Sequence, residues 1–202
     1  MAKPAAPEPT DVRLVELAAD HLRRYGLRRT TIVSIAEEAG MSHANVYRYF
    51  PSKAALLDAV IEAWLKPIEK GLRDIADGPD PASDKLERLA SAIHRAYRQK
   101  LENDPALFEM FVDLVKRREA LARRHRSRFV SEVQRITDEG MASGSFAVEN
   151  QRDAVGLYMD ALSRFIGPEQ VLLDREAPSA EIESRLDRVV RLVLWAITSG
   201  RI

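Results

Sequence analysis

Apolar residues recur every three to four positions along most of the chain, which is the spacing of one face of an α-helix. Proline, glycine and short polar stretches interrupt this pattern, and runs of β-branched residues are almost absent. The chain is therefore predicted to be all-α, without a strand. Nine helices are expected, at about residues 11–25, 31–38, 43–50, 52–76, 86–101, 107–115, 121–144, 151–166 and 180–199.

The interruptions also divide the chain into segments. Residues 1–9 are rich in proline and alanine and are predicted to form a disordered tail. Residues 10–51 hold three short helices, and residues 52–76 form one long connecting helix. The loop Gly78-Pro79-Asp80-Pro81 begins a larger helical domain, and the sequence predicts that domain over residues 77–202.

Composition excludes several classes of function. The 202 residues contain no cysteine, which rules out a disulfide scaffold, cysteine-ligated zinc and thiol catalysis. The four histidines lie far apart, so no metal or other cofactor is predicted. Thirty-one basic and thirty-one acidic residues cancel, so any contact with nucleic acid needs a local surface. Neither a membrane-spanning run nor a signal peptide is recognised, and we expect a cytoplasmic protein.

One segment, residues 30–53, has a pattern that indicates a function. Two short helices are joined by a three- to four-residue turn that contains Gly40, as in a helix-turn-helix. Ala36 is small where the two helix backbones must approach, and glycine reverses the chain without steric cost. Val46 and Phe50, four positions apart, anchor the second helix inward. An ordinary helical hairpin is the alternative, but it does not need these features together.

The opposite face of the second helix is polar and aromatic. It presents small, hydrogen-bonding side chains near a helix N-terminus, as major-groove recognition requires: His43, Ala44, Asn45, Tyr47 and Arg48. Thr31 and Lys53 stand at the starts of the flanking helices, where they could bind phosphates. This segment is therefore predicted to bind double-stranded DNA.

Residues 11–66 resemble the N-terminal DNA-binding domain of the tetracycline-repressor (TetR) family of bacterial transcription regulators. The resemblance rests on Ile35-Ala36, Ala39-Gly40-Met41-Ser42 and the run from Val46 to Leu57. It implies an all-helical homodimer and a C-terminal domain that often binds a small-molecule inducer. By position, His43 to Asn45 would lie nearest the bases, with Ala44 where many members have glycine, and Tyr47 and Tyr49 would mostly touch phosphate. The full predicted DNA-binding set is Thr31, Ser42, His43, Ala44, Asn45, Tyr47, Arg48, Tyr49 and Lys53.

Aromatic residues at helical spacing in the C-terminal part predict an apolar pocket between helices. For each one alone, a core position is the simpler interpretation; together they predict the pocket. His125 lies on the apolar side of its helix, where a hydrogen-bonded core histidine is the simpler interpretation; the pocket hypothesis has it supply polar contacts together with Tyr97. The predicted ligand-binding residues are Trp64, Tyr97, Phe108, Phe111, Leu114, His125, Phe129 and Val133. The basic stretch from Lys116 to Arg128 could bind an anionic ligand or a second nucleic acid, but a solvated face is the simpler interpretation.

The last two helices carry long apolar stripes that a monomer would leave partly bare. They predict a four-helix dimer interface, formed by two such pairs. The expected interface residues are Val155, Tyr158, Leu162, Phe165, Leu186, Val189, Val190, Val193 and Ile197.

These observations favour a homodimeric repressor that a small, hydrophobic inducer releases from a palindromic operator. An accessory DNA-binding protein without an inducer is the alternative. An enzyme is not supported, because no nucleophile elbow, phosphate-binding loop or dinucleotide fingerprint is present and no catalytic residue is predicted. No contact with a membrane is predicted.

Overall fold

The computed structural model describes residues 10–202, which form ten helices and no strand. The expected tail at residues 1–9 lies outside the described residues. The helices are α1 (Thr10–Arg29), α2 (Ile32–Ala39), α3 (His43–Tyr49), α4 (Lys53–Ala76), α5 (Ala82–Asn103), α6 (Pro105–Lys116), α7 (Ala120–Ala142), α8 (Gln151–Ile166), α9 (Pro168–Leu173) and α10 (Ser179–Ser199). Nine correspond to predicted helices, so the all-α prediction is confirmed. The six-residue α9 was not predicted.

The chain forms two compact units, which divide inside α4 between Leu65 and Lys66. The predicted connecting helix at 52–76 matches α4 within one residue, with Ser52 accepting a hydrogen bond from the backbone of Ala55. Pro67 lies inside α4, next to the division. A proline there has no N–H to donate to the carbonyl of Ala63, so the hydrogen-bond ladder of the helix is interrupted.

The first unit is built on α1, which packs against α2, and on α2, which packs against α3. Its core contains Leu14, Ala18 and Ile35, all fully buried. Gly26 has φ 74° and ψ 172°, so the regular part of α1 ends before it, as the sequence predicted. The residues after Gly26 form a further turn that leads into α2.

The second unit is arranged around α5, which contacts each of the helices α6 to α10. Because α5 is surrounded, even polar side chains on it are buried and bonded. Lys85 donates to both carboxylate oxygens of Glu139 at 2.7 and 2.9 Å. Arg98 donates to the backbone carbonyl of Asp174 at 2.8 Å. The polar contacts thereby fix α5 against α7 and the α9–α10 loop.

Most of the predicted dimer residues lie in the core of a single chain. Eight of them are at most 7% exposed in the isolated protomer, and the ninth, Val189, is half-buried. Helix α8 packs against α7 and α10, and α10 also packs against α5, so the chain itself covers these stripes. The hydroxyl of Tyr158, for example, donates to the carbonyl of Leu86 at 2.8 Å. The eight buried residues are Val155, Tyr158, Leu162, Phe165, Leu186, Val190, Val193 and Ile197.

A different apolar surface remains exposed on the same two helices. On α10, Leu192 is 64% exposed and Trp195 is 52% exposed. On α8, Leu157 and Ala161 are half-buried and four positions apart. Within residues 10–202, no helix has the length and apolar character needed to cross a membrane.

Candidate functional site

The turn between α2 and α3 has helix-turn-helix geometry. Gly40 adopts the left-handed conformation, with φ 68° and ψ 33°, and ends α2. The next N–H, of Met41, donates to the carbonyl of Ala36 at 2.9 Å. The hydroxyl of Ser42 then accepts from the N–H of Asn45 at 3.3 Å and caps α3. The roles predicted for Gly40 and Ser42 in the turn are confirmed.

The inner side of this motif is tightly buried. Ile35, Ala36 and Val46 are fully buried, while Phe50 is half-buried and ends α3 in an extended conformation. Because one side of α3 is held by these contacts, its other side is presented in a fixed orientation.

The outer side of α3 is exposed to solvent and carries the predicted DNA-contacting side chains. Tyr47 and Tyr49 are 51% and 45% exposed. Asn45 is half-buried, beside the cap. The remaining exposed residues of this surface are Ser42, His43, Ala44 and Arg48. Hydroxyl, imidazole, amide and guanidinium groups on one short exposed helix suit the edges of bases and the phosphates beside them.

Thr31 caps the start of α2 with a capping box that the sequence did not indicate. Its hydroxyl accepts from the N–H of Ser34 at 3.1 Å, and the Ser34 hydroxyl accepts from the N–H of Thr31 at 3.0 Å. The usual capping box has glutamate or glutamine at the third position, which explains why serine gave little signal. The exposed Thr31 is thus ordered at the N-terminus of α2, where helix N–H groups favour an anion.

Lys53 has a contact within the chain that the sequence did not indicate. Its ammonium donates to the carbonyl of Leu27 at 2.9 Å, and the side chain is half-buried. This bond ties the start of α4 to the turn that follows Gly26. An ammonium has three donors, so two remain for the predicted phosphate contact.

The second unit contains a cavity of about 480 Å³ between α5, α6, α7, α8 and α9. Four predicted ligand residues line it: Tyr97, Phe111, His125 and Phe129. Four do not. Phe108 and Val133 are fully buried in the core, Leu114 is half-buried on α6, and Trp64 belongs to the first unit. Lining residues that were not predicted include Met159 and Ile166 on α8, and Pro168 to Gln170 on α9.

A chain of hydrogen bonds runs from the cavity wall to α4. The hydroxyl of Tyr97 and Nε2 of His125 are 2.9 Å apart, and Nδ1 of His125 lies 2.8 Å from Oε1 of Glu69. A carboxylate only accepts, so Nδ1 is the donor to Glu69, and Nε2 of a neutral ring accepts from Tyr97. Arg128 donates to the other oxygen of Glu69 at 2.6 Å.

Burial and charge set the acidities in this chain. Burial raises the pKa of Tyr97 above its ordinary value, the carboxylate of Glu69 raises it further, and Arg126 opposes the shift, so the phenol stays protonated. Burial also raises the pKa of Glu69, but the hydrogen bond from His125 and the charges of His125 and Arg128 outweigh it. The net pKa of Glu69 is below its usual range, so this group is a carboxylate near neutral pH.

The α6–α7 turn and the start of α7 bring three arginines to the cavity: Arg118, Arg123 and Arg126. Helix α6 ends in a Schellman motif, in which Arg118 donates to Val115 and the next residue donates to Leu114. Arg118 therefore occupies the position that glycine usually takes, with φ 54°. A left-handed conformation costs an L-residue about 1–2 kcal/mol. Arg123 donates to the carbonyl of Arg118 and braces this turn.

Two family descriptions match the chain. Residues 14–60 match "Bacterial regulatory proteins, tetR family", and residues 82–190 match "Tetracyclin repressor-like, C-terminal domain". The second match alone spans more than half of the chain. Together the matches cover both the helix-turn-helix and the unit that holds the cavity.

Individual relatives agree with these matches. The chain is 27% identical over 161 residues to the transcriptional repressor KstR2 of Mycobacterium tuberculosis, covering 76% of this chain and 74% of that protein. It is 36% identical over 90 residues to the transcriptional regulator RutR of Escherichia coli, covering 43% and 42%. The structure of the fatty acid degradation regulator FadR from Bacillus halodurans has the same fold, with a TM-score of 0.65, 17% identity and coverage of 94% and 96%. The chain is therefore a DNA-binding transcriptional regulator, not an enzyme, and belongs to the TetR family.

Proposed function

We propose that this regulator is a ligand-responsive repressor, which a small apolar inducer bound in the cavity releases from a palindromic operator. The observation that carries the proposal is the hydrogen-bonded chain from the cavity wall to α4. A volume of about 480 Å³, with mainly apolar walls and polar groups that can orient a ligand, is typical of a small-molecule site. The proposal places the protein in the cytoplasm, with the chromosome.

The DNA contact is assigned to the exposed side of α3 and to the helix starts beside it. His43, Ala44 and Asn45 would approach base edges, since they lie in the first turn of α3. Tyr47, Tyr49 and Lys53 would mainly contact phosphates and position the helix. A single seven-residue helix reads few base pairs, so two copies are expected to act on one operator.

The homodimer is assigned to the exposed apolar surface of α8 and α10, the same two helices for which the sequence predicts an interface. Val189, Leu192 and Trp195 follow one another at three-residue spacing along α10 and lie on one side of it. Leu157 and Ala161, four residues apart, share one side of α8, which packs directly against α10. Two copies of this helix pair form a four-helix interface with two-fold symmetry.

The coupling between ligand binding in the cavity and operator binding is assigned to Glu69. This carboxylate lies on α4, the same helix that begins at Lys53 beside α3. A ligand that displaces Tyr97 or His125 would change the hydrogen bond between His125 and Glu69. Because Glu69 lies on α4, this change would shift the position of α4. Coupling of about 1–3 kcal/mol between ligand and operator would lower operator affinity roughly 5- to 150-fold.

The test begins with operator fragments recovered from genomic DNA by the purified protein. Operator affinity is then measured by fluorescence anisotropy in the presence of a panel of apolar compounds. Phe129→Ala alters the cavity wall, so it should change the inducer response while leaving operator affinity without ligand nearly intact. Phe165→Ala is the matched control, because Phe165 is as buried as Phe129, at 6% against 5% exposed, but does not line the cavity.

The outcomes separate this proposal from an accessory protein without an inducer. If no compound changes operator affinity, the accessory function is favoured. If both phenylalanine variants change the response equally, the effect comes from lost stability and the cavity is not the inducer site.

A further inference from the structure

We propose that the cavity binds an amphipathic organic acid, with its apolar body against the aromatic wall and its carboxylate against Arg118, Arg123 and Arg126. This inference rests on the proposed function, since it names the chemical class of the ligand. It also assigns a role to part of the basic stretch from Lys116 to Arg128, for which a solvated face is the simpler interpretation from sequence.

The cavity has two chemically different sides. Its inner lining includes Ile93, Tyr97, Phe111 and Phe129, which are all buried. The three arginines line the same cavity but are exposed, so they lie on its solvent side. A ligand in this space therefore meets aromatic and aliphatic carbon at one end and guanidinium groups at the other. That arrangement matches an apolar molecule with one terminal anionic group.

The three guanidinium groups can still donate to a ligand, since Arg123 uses one of its five N–H donors for the carbonyl of Arg118. Their neighbours are paired: Arg117 lies 2.9 Å from Asp113, and Arg128 lies 2.6 Å from Glu69. Across residues 10–202, no carboxylate oxygen lies within 4.0 Å of Arg118, Arg123 or Arg126. One carboxylate, Glu169 on α9, also lines the cavity, so the lining holds three guanidinium groups against one carboxylate. The excess favours an anion, and a guanidinium binds a carboxylate in a two-pronged geometry.

The conformation of Arg118 is an independent argument. It is the non-glycine residue with positive φ in the described part of the chain, at the helix-ending position that favours glycine. Glycine would relieve the strain, so the arginine reduces the stability of this turn. Strained residues of this kind concentrate at ligand sites. Here the strained backbone carries a guanidinium that lines the cavity.

The experiment compares two fluorescent probes of nearly equal size, 1-pyrenebutanoate and 1-pyrenebutanol, by titration against the full chain. The acid should bind more tightly than the alcohol by about tenfold or more, as expected for a charge-assisted hydrogen bond. Arg126→Gln should weaken binding of the acid by about tenfold and leave the alcohol unchanged. Arg124→Gln is the matched control, because Arg124 is an exposed arginine on the same helix that does not line the cavity.

Arg118→Gly separates binding from folding. It should weaken binding of the acid while leaving the melting temperature unchanged or raising it by about 2–4 °C, because glycine fits the left-handed position. A structural role for Arg118 would instead lower the melting temperature.

The possible failures are distinct. Equal affinity for acid and alcohol would overturn this inference and leave the apolar inducer site intact. Equal effects of Arg124→Gln and Arg126→Gln would show a general charge effect and overturn the assignment of the arginines. The same conclusion follows if neither Arg126→Gln nor Arg118→Gly weakens the acid. If neither probe binds, the cavity is not a site for apolar ligands, and the proposed inducer site fails with it.

Discussion

Trp195 provides the sharpest test of the assigned dimer surface. Its side chain is 52% exposed in the single chain, so Trp195→Ala removes little of the core of the protomer. The guanidinium of Arg201 lies 5.5 Å from the ring centroid and covers only part of the indole. A partner helix would have to bury the exposed part for the interface to form.

The magnitude follows from the exposed area. A large aromatic side chain offers up to about 250 Å², and half of that is about 120 Å². At about 25 cal/mol per Å², burial of this area contributes about 3 kcal/mol. A two-fold symmetric interface contains Trp195 from both copies, so Trp195→Ala should reduce the free energy of dimerisation by about 3–6 kcal/mol. The dimer dissociation constant should therefore rise by a factor of about 10² to 10⁴.

Sedimentation velocity over a range of protein concentrations measures this constant directly. Leu192→Ala should also weaken the dimer, whereas Leu173→Ala is the control, since Leu173 is 75% exposed but lies on α9. The thermal stability of the dissociated Trp195→Ala chain should show that it remains folded. If Trp195→Ala and Leu192→Ala both dimerise with the affinity of the unmodified chain, the α8–α10 surface is not the interface.

Three further predictions concern DNA binding and stability. Lys53→Gln should weaken binding to all DNA sequences alike, and the slope of log affinity against log salt concentration should become shallower by about one per half-site. Asn45→Ala should instead change which bases are preferred. Anisotropy titrations on several DNA sequences and at several salt concentrations distinguish the two variants. Gly71→Ala should raise the melting temperature by about 2–4 °C, because Gly71 lies inside helix α4 and an added Cβ would have no atom within 4 Å beyond its neighbours and the adjacent helix backbone. The hydrogen bond from Arg164 lowers the pKa of Asp174 against the effect of burial, so this ion pair stabilises the fold above the ordinary aspartate pKa of about 4 and is lost at more acidic pH. Thermal unfolding across acidic pH should show Asp174→Asn less stable than the unmodified chain near neutral pH, with the difference vanishing in acid.

The helix-turn-helix was predictable because its signals are local. Gly40, Ser42 and Val46 act within one or two turns of their own positions, and their spacing alone specifies the turn, the cap and the inward side of α3. Lys53 shows the limit of this approach. Its partner, Leu27, is 26 residues away and contributes a backbone carbonyl, which side-chain patterns do not reveal.

The α8 and α10 stripes show a different limit. Periodicity identifies the side of a helix that is buried, but a neighbouring helix of the same chain and a partner subunit produce the same pattern. Tyr158 and Ile197 were therefore assigned to a partner although α5, α7 and α8 of their own chain supply the contacts. The surface left for a partner is narrower, and Leu192 and Trp195 mark it.

The cavity was predicted only in part because its position depends on packing between distant segments. Phe108 and Phe111 lie three residues apart on α6, yet only Phe111 reaches the cavity. Glu69 and His125 are 56 residues apart, so nothing in the local sequence links them. Helix α9 did have a local signal, since proline is common at the first position of a helix and Pro168 occupies that position.

The division of the two units inside α4 has a consequence for building chimeric regulators. The units share one helix, so a junction must preserve helical phase as well as sequence. One residue inserted near Pro67 would rotate everything beyond it by about 100° and move it by about 1.5 Å. Seven inserted residues would restore the angle to within about 20° but lengthen the helix by about 10 Å. Exchange of DNA-reading units between relatives should therefore succeed at equal helix length and fail after single insertions.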